Sequence, residues 1–386
     1  MATFLDVYTL SLNKKGEELC GDTVKIFKTD QKTTLVLSDG LGSGVKANIL
    51  ATLTASIIVT MLRQNAPLKD VISTVIGTLP MDQSRRIAYA TFTIVEIDHA
   101  TSTFRVTNFD NPPAFYLKQG VIQSLPVRIE NILGKKIKFS EGTLEKGDFL
   151  GVISDGVLYA GLGITMNFGW GWKNVAAFMT GLFSRRIFTA RSVVDGVIAK
   201  TRALYGGEIG DDATFAGILA RTRNDVMVFT GPPLDNGHDY DHVNRLLQFG
   251  GRKIICGGTT ANIVAQYLKT EVVSDISTLR EEIPPIGRLP GIDLVTEGII
   301  TMARALEYVK NSDDDLANIP DDRNGAVMLA RELLLADAIH FLVGQSISAF
   351  YQNPLLPKNI SIRRTLIEQL AETLRRMNKD VYVDYC

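Results

Sequence analysis

Up to about Arg221, short apolar runs rich in Val, Ile, Thr and Phe alternate with a few longer helical stretches. The runs at 33–39, 87–98, 103–109, 114–120, 148–155 and 213–221 predict strands. Turn residues join several of them. Asp98-His99-Ala100-Thr101 and Gln119-Gly120 each sit between two such runs, so antiparallel hairpins are expected. Helical spacing of apolar residues marks Ser43–Gln64, Leu68–Leu79, Trp172–Phe183 and Ser192–Tyr205. Strands with helices segregated among them predict an α+β layered domain over residues 1–221 rather than a βαβ repeat.

Beyond Arg221 the pattern changes to strand, Gly-containing turn and helix, repeated three times. DVMVFTG leads to a helix near His238–Phe249, RKIICGG to Thr259–Leu268, and IDLVTEG to Ile299–Val309, which predicts a small α/β domain over 224–386. Its C-terminal part reads as helical. Asp321-Asp322 is placed to cap a helix running on through Phe350, and a further helix follows Asn353-Pro354.

With 386 residues the chain is long enough for two or three cores, and its three cysteines, Cys20, Cys256 and Cys386, lie far apart with no C-x-x-C pair. A disulfide scaffold, a zinc ribbon and a dithiol redox site are excluded, and a reducing, cytoplasmic location is expected. Forty-one basic residues balance 42 acidic ones with no basic run, so no nucleic-acid partner is expected. The most apolar stretch, 49–62, carries Thr and Ser and is short for a bilayer span, so it is expected to be a buried helix and no membrane partner is inferred.

Four acidic motifs in the first domain fall where predicted strands end: Gly21-Asp22, SDGLGSG at 38–44, Ser154-Asp155-Gly156, and Gly210-Asp211-Asp212-Ala213-Thr214. Taken singly, Asp-Gly is also a common turn dipeptide. Carboxylates gathered from separate strand ends suit hard divalent cations that want oxygen ligands, Mg²⁺ or Mn²⁺, and glycine lets a carbonyl approach the ion. No paired histidines or clustered cysteines offer a zinc site there.

In this order, with a long apolar helix directly after SDGLGSG, the motifs resemble the metal-dependent Ser/Thr protein phosphatases of the 2C type. The similarity is to the bacterial branch that includes the sporulation stage II E phosphatase. It covers about residues 1–221 and implies a β-sandwich flanked by helix layers, αββα. It also implies two or more Mn²⁺ or Mg²⁺ ions, a phosphoprotein substrate such as an anti-sigma-factor antagonist-like protein, and attack by a metal-activated water without a covalent intermediate. By the same resemblance Asp39 bridges two ions, the Gly40 carbonyl reaches the second, Asp155 and Asp211 complete the first ion's shell, and Asp22 holds the second mostly through water. Asp212 is the neighbour of a ligand.

Two departures stand out. Leu41 occupies the place where many eukaryotic members carry a His, although the bacterial branch commonly lacks it too; and Asp110-Asn111 interrupt a segment in which Asn108, Pro112 and Pro113 match, so that segment is expected to be structural. Lys46 and Lys25 are candidates for contacting phosphate, each of which also reads as a solvated lysine. Cys20 reads as a packed side chain, and His238 and His242 as two polar residues on one helix face without a third metal ligand.

In the second domain, three strand-to-helix turns would lie on one edge of a parallel sheet: Thr230-Gly231-Pro232, Gly257-Gly258-Thr259-Thr260 and Thr296-Glu297-Gly298. Glycine and threonine at helix N-termini suit a small anionic ligand, or merely a tight turn and cap; Gly257, Gly258, Thr259 and Thr260 form the best candidate. The alternative to an active phosphatase is an inactive phosphatase-like scaffold, or a small-anion sensor acting through this domain. Homo-oligomerisation stays open.

Overall fold

The computed structural model describes residues 3–78, 81–82, 87–88, 90–183, 189–233, 239–345 and 359–386. The chain divides into two compact units, Met1–Thr222 and Arg223–Cys386.

The first unit is built on two antiparallel sheets. One runs in the order Phe4–Leu12, Ala213–Arg221, Phe149–Ile153, Phe115–Lys118, Val121–Gln123. The other runs Arg128–Ile132, Lys135–Thr143, Thr103–Phe109, Ala90–Asp98, Lys32–Gly40, Asp22–Lys28. Strand side chains alternate faces, so each central strand contributes to two cores. Leu35, Leu37, Val95, Val106, Val152 and Ile218 fill the space between the sheets. Val36, Phe92 and Ile94 point the other way, onto the helices Gly44–Arg63 and Leu68–Thr78. Phe149, Phe215 and Leu219 face the helices Trp172–Leu182 and Ala190–Leu204. The result is the four-layered αββα sandwich.

The helix Gly44–Arg63 is long and apolar enough to cross a membrane by length and composition. The expected buried helix is met on one face only: Ala47, Ala51, Ala55, Ile58 and Leu62 are buried and the helix packs on the Lys32–Gly40 strand, while Val45, Ile49 and Leu53 are exposed. The two expected hairpins form. Asp98 Oδ1 accepts from the Ala100 and Thr101 amides, and Gln119 and Gly120 take φ of 48° and 82° as a two-residue hairpin turn requires.

The second unit holds a seven-stranded sheet in the order Val273–Asp275, Ile286–Arg288, Leu294–Thr296, Arg252–Cys256, Asp225–Thr230, Ala338–Val343, Asp380–Tyr385. The last five are parallel to one another, and Ile286–Arg288 pairs antiparallel with both of its neighbours, Val273–Asp275 and Leu294–Thr296. Helices Asp239–Gln248 and Gly258–Tyr267 cover one face; Ile299–Ser312, Gly325–Leu335 and Asn359–Arg376 cover the other.

Here the structure corrects the expected long helix after Asp321-Asp322. The helix is short, Gly325–Leu335, and its cap is Asn324, whose Oδ1 accepts from the Ala326 and Val327 amides. Asp322 instead takes the guanidinium of Arg280. The AIHFLV run that follows is a strand, because it fills the slot between Asp225–Thr230 and Asp380–Tyr385. His340 therefore lies on a strand, stacked on Tyr382 at 4.8 Å between ring centroids. Residues 346–350, where the expected helix would have ended, and His238 lie outside the described residues.

Candidate functional site

The acidic motifs converge on one end of the sandwich because the strands carrying them are neighbours. Asp22 opens one edge strand and Asp39 nearly closes the next, and the antiparallel register sets the two residues directly opposite. Gly40 follows, and a Cβ there would lie 2.1 Å from the Ala47 carbonyl oxygen, so only glycine lets the first helix turn back onto the strand. In the facing sheet, Asp155 begins the single-turn helix Asp155–Leu158 that ends the Phe149–Ile153 strand. Asp211 and Asp212 immediately precede the neighbouring strand Ala213–Arg221. A Cβ on Gly156 would meet the Asp212 carbonyl oxygen at 2.1 Å, so the two loop ends lie backbone against backbone.

Hydrogen bonds hold the acids in place. The Ser154 hydroxyl donates to Asp22 Oδ2 at 2.7 Å and accepts from the Thr214 amide at 2.8 Å, tying the edge strand to the opposite sheet. The Lys14 amide donates to Asp212 Oδ1 at 2.9 Å, and the Asp212 amide donates to Asp211 Oδ1 at 3.0 Å. Asp22 and Asp212 are buried, and Asp22 Oδ1 and Asp212 Oδ2 have no hydrogen-bond partner.

The electrostatics are those of crowded carboxylates. Burial, and then the charges of Asp22, Asp155, Asp211 and Asp212, push the Asp39 carboxyl up to about 9. Burial raises Asp22 to about 7 against the opposing hydrogen bond from Ser154. Asp155 is raised by burial and by Asp211. Asp211 is raised by burial, with Lys14 the cation that opposes the rise. Burial and Asp22 push the Cys20 thiol up to about 12, which keeps it protonated and unreactive.

This donor set fits a hard divalent cation. It is made of oxygen, carries net negative charge, and leaves two buried carboxylate oxygens without a donor. Among the described residues, no three acidic, His or Cys side chains already stand close enough together to enclose one ion. The physical reason is in the hydrogen bonds: like charges repel, and Asp22, Asp211 and Asp212 each turn one oxygen to a protein donor. The mutual effects on the carboxyl pKa values mark electrostatic range, and coordination range is shorter.

Other candidates are placed as follows. Lys46 is exposed one turn into the first helix and Lys25 is half-buried on the edge strand. Asn108 donates to the Pro112 carbonyl at 2.9 Å and Asn111 to the Thr93 hydroxyl at 3.1 Å, so the Pro-Pro segment is fastened to the sheet. Gly257 to Thr260 start the helix Gly258–Tyr267 in the second unit and line a cavity there. Sequence reasoning missed Ser154, Thr214 and the full part of Asp212. The signal was present as the polar residues inside SDG and GDDAT, but their partners come from other strands.

A four-layered sandwich with acids at one end is the architecture of a PP2C-type phosphatase domain. The stage II sporulation protein E (SpoIIE) family model matches residues 29–221, half of the chain, and the chain belongs to that family. Among solved structures it is similar to the PP2C phosphatase domain with a fragment of the regulatory domain of the cell fate determinant SpoIIE from Bacillus subtilis. That match has a TM-score of 0.50 and 18% identity, and covers 57% of this chain and 64% of that one, less than two thirds of its length. Similar too are the PP2C domain of SiaA from Pseudomonas aeruginosa (TM-score 0.46, 15% identity, 55% and 85% covered) and RsbX in complex with magnesium (0.41, 18%, 56% and 95%). At these identities the likeness is one of fold. No curated protein matches the chain.

Proposed function

We propose that the first unit is a metal-dependent protein serine/threonine phosphatase, active on a phosphoprotein of a bacterial signalling pathway in the cytoplasm, and that residues 223–386 regulate it or dock a partner. The observation that carries this is the uncompensated acid cluster around Asp22 and Asp39, with orphaned oxygens on Asp22 and Asp212. Opposed buried carboxylates cost stability. A scaffold that only binds a protein has no physical reason to retain them, whereas a cation-binding site does.

Asp39, Asp22, Asp155 and Asp211, with Asp212 beside them, would hold Mn²⁺ or Mg²⁺. Bound there, such ions supply Lewis acidity for the phosphoryl oxygens and lower the pKa of water. Ser154 orients Asp22, and the Lys14 amide orients Asp212. Cys20 holds its proton and so offers no covalent route. His99 is committed to Thr33 and the Asp30 carbonyl at the hairpin.

The test is hydrolysis of an aryl phosphate and of a phosphoserine peptide with Mn²⁺ and with chelator. Turnover is expected only with the metal, and Asp39→Asn and Asp211→Asn are expected to lower it by about 100-fold or more, beyond the range typical of residues that merely support a ligand. Full activity in Asp39→Asn would sink the proposal.

A further inference from the structure

In the second unit the chain leaves the central Asp225–Thr230 strand for Arg252–Cys256 and Leu294–Thr296 on one side, then returns to Ala338–Val343 on the other. Where strand order reverses in this way, the connections diverge and open a crevice at the carboxyl ends of the strands. A cavity of about 210 Å³ lies at that edge.

Two helices start on it, Gly258–Tyr267 and Ile299–Ser312. Their N-caps, Gly257 and Gly298, have φ of 138° and 144° and provide no side-chain cap. A Cβ on Gly298 would come within 3.3 Å of the Gly257 Cα, so the two glycines let the helix starts approach. The Gly257 and Gly258 amides donate to the Thr296 and Glu297 carbonyls at 2.9 Å; the first-turn amides that follow have no acceptor within their own helix, and the helix dipoles add partial positive charge.

An independent observation points to a ligand. Thr260 is fully buried, its Oγ1 has no hydrogen-bond partner, and it lines the same cavity. Most buried hydroxyls are paired, and of the unpaired threonine hydroxyls among the described residues, on Thr34, Thr107, Thr260, Thr296 and Thr301, Thr260 is the one that lines this cavity. Arg363 also lines the cavity and adds a guanidinium, held by its bond to the Gly344 carbonyl at 3.0 Å. Glu297 stands at the end of the third strand on the same cavity, an acceptor that would repel a bare anion.

We propose that this crevice binds a small molecule carrying an anionic head, phosphate or carboxylate, next to a hydroxyl or ammonium group. The anion is received by the helix amides, the Thr260 hydroxyl and Arg363; the donor group goes to Glu297. The site is independent of the phosphatase reading and would make the second unit a metabolite sensor.

Calorimetric titration of the full chain in chelator tests it, with ribose 5-phosphate, glutamate and inorganic phosphate as probes. Saturable binding of ribose 5-phosphate or of glutamate is expected, at least tenfold tighter than inorganic phosphate. Which of the two binds identifies the head group. Thr260→Val and Arg363→Met should each weaken it tenfold or more, while Asp39→Asn should not. Thr260→Val removes an unpaired hydroxyl, so an unchanged or higher melting temperature checks that this variant is folded. The proposal is overturned if neither organic probe binds at millimolar concentration, if inorganic phosphate binds as tightly, or if both folded variants bind like the parent.

Discussion

Asp22 and Asp39 sit directly opposite each other on adjacent antiparallel strands, two carboxylates where cross-strand pairing ordinarily disfavours like charge. The pair makes the first unit less stable than its fold would allow, and that cost is the most testable property of the site.

Replacing Asp39 by Asn removes a carboxyl that can be buried beside four neighbouring acids only by taking up a proton. The metal-free variant should be more stable than the parent, by about 1 kcal/mol or more, or roughly 2–4 °C in melting temperature for a domain of this size. Melting in chelator checks this. A lower melting temperature for Asp39→Asn would show that the carboxylate is stabilising where it stands.

The pH dependence has a definite sign. Burial and crowding push the Asp22 and Asp39 carboxyls up to about 7 and about 9 in the folded protein, from an ordinary value of 3.8. From about pH 4 to 9 these two groups bind more protons in the native state than in the unfolded chain, so their contribution to metal-free stability is greatest on the acid side and falls as pH rises through that window. Melting curves at several pH values, with chelator and with saturating Mn²⁺, should show the decline only without metal.

Ser154→Ala removes the donor to Asp22 and leaves the Thr214 amide without its acceptor. The expected cost is about 1–3 kcal/mol of stability. The Mn²⁺ concentration for half-maximal activity should rise about 10–100-fold. A titration that leaves the midpoint unchanged while stability falls would assign Ser154 a structural part alone.

Gly40→Ala places a methyl group 2.1 Å from the Ala47 carbonyl oxygen and should cost about 3 kcal/mol or more, read as lost soluble yield or a lower denaturation midpoint. Gly77 offers the contrast, since nothing lies within 4 Å of a Cβ there. Gly77→Ala, in the helix Leu68–Thr78, should stabilise by about 0.5 kcal/mol.

Much of this was legible in the chain itself. Strands such as Thr103–Phe109 and Ala213–Arg221 matched their apolar runs residue for residue, because each has both ends marked by turn residues. Strands Asp22–Lys28 and Lys135–Thr143 were missed, since their polar residues hide the alternation. AIHFLV was misassigned to a helix, because a short apolar run joined to a leucine-rich helix has no period of its own.

The sequence by itself determined the four acidic motifs, the glycines that accompany them and the change of pattern near residue 222, because each depends only on neighbours along the chain. Only the tertiary structure decided that Asp22 faces Asp39, that Ser154 bridges the two sheets, that Asp212 is buried with one oxygen unpaired, and that Thr260, Glu297 and Arg363 share a cavity. Those relations join residues far apart in sequence, and they exist only once burial and strand register have brought the residues together.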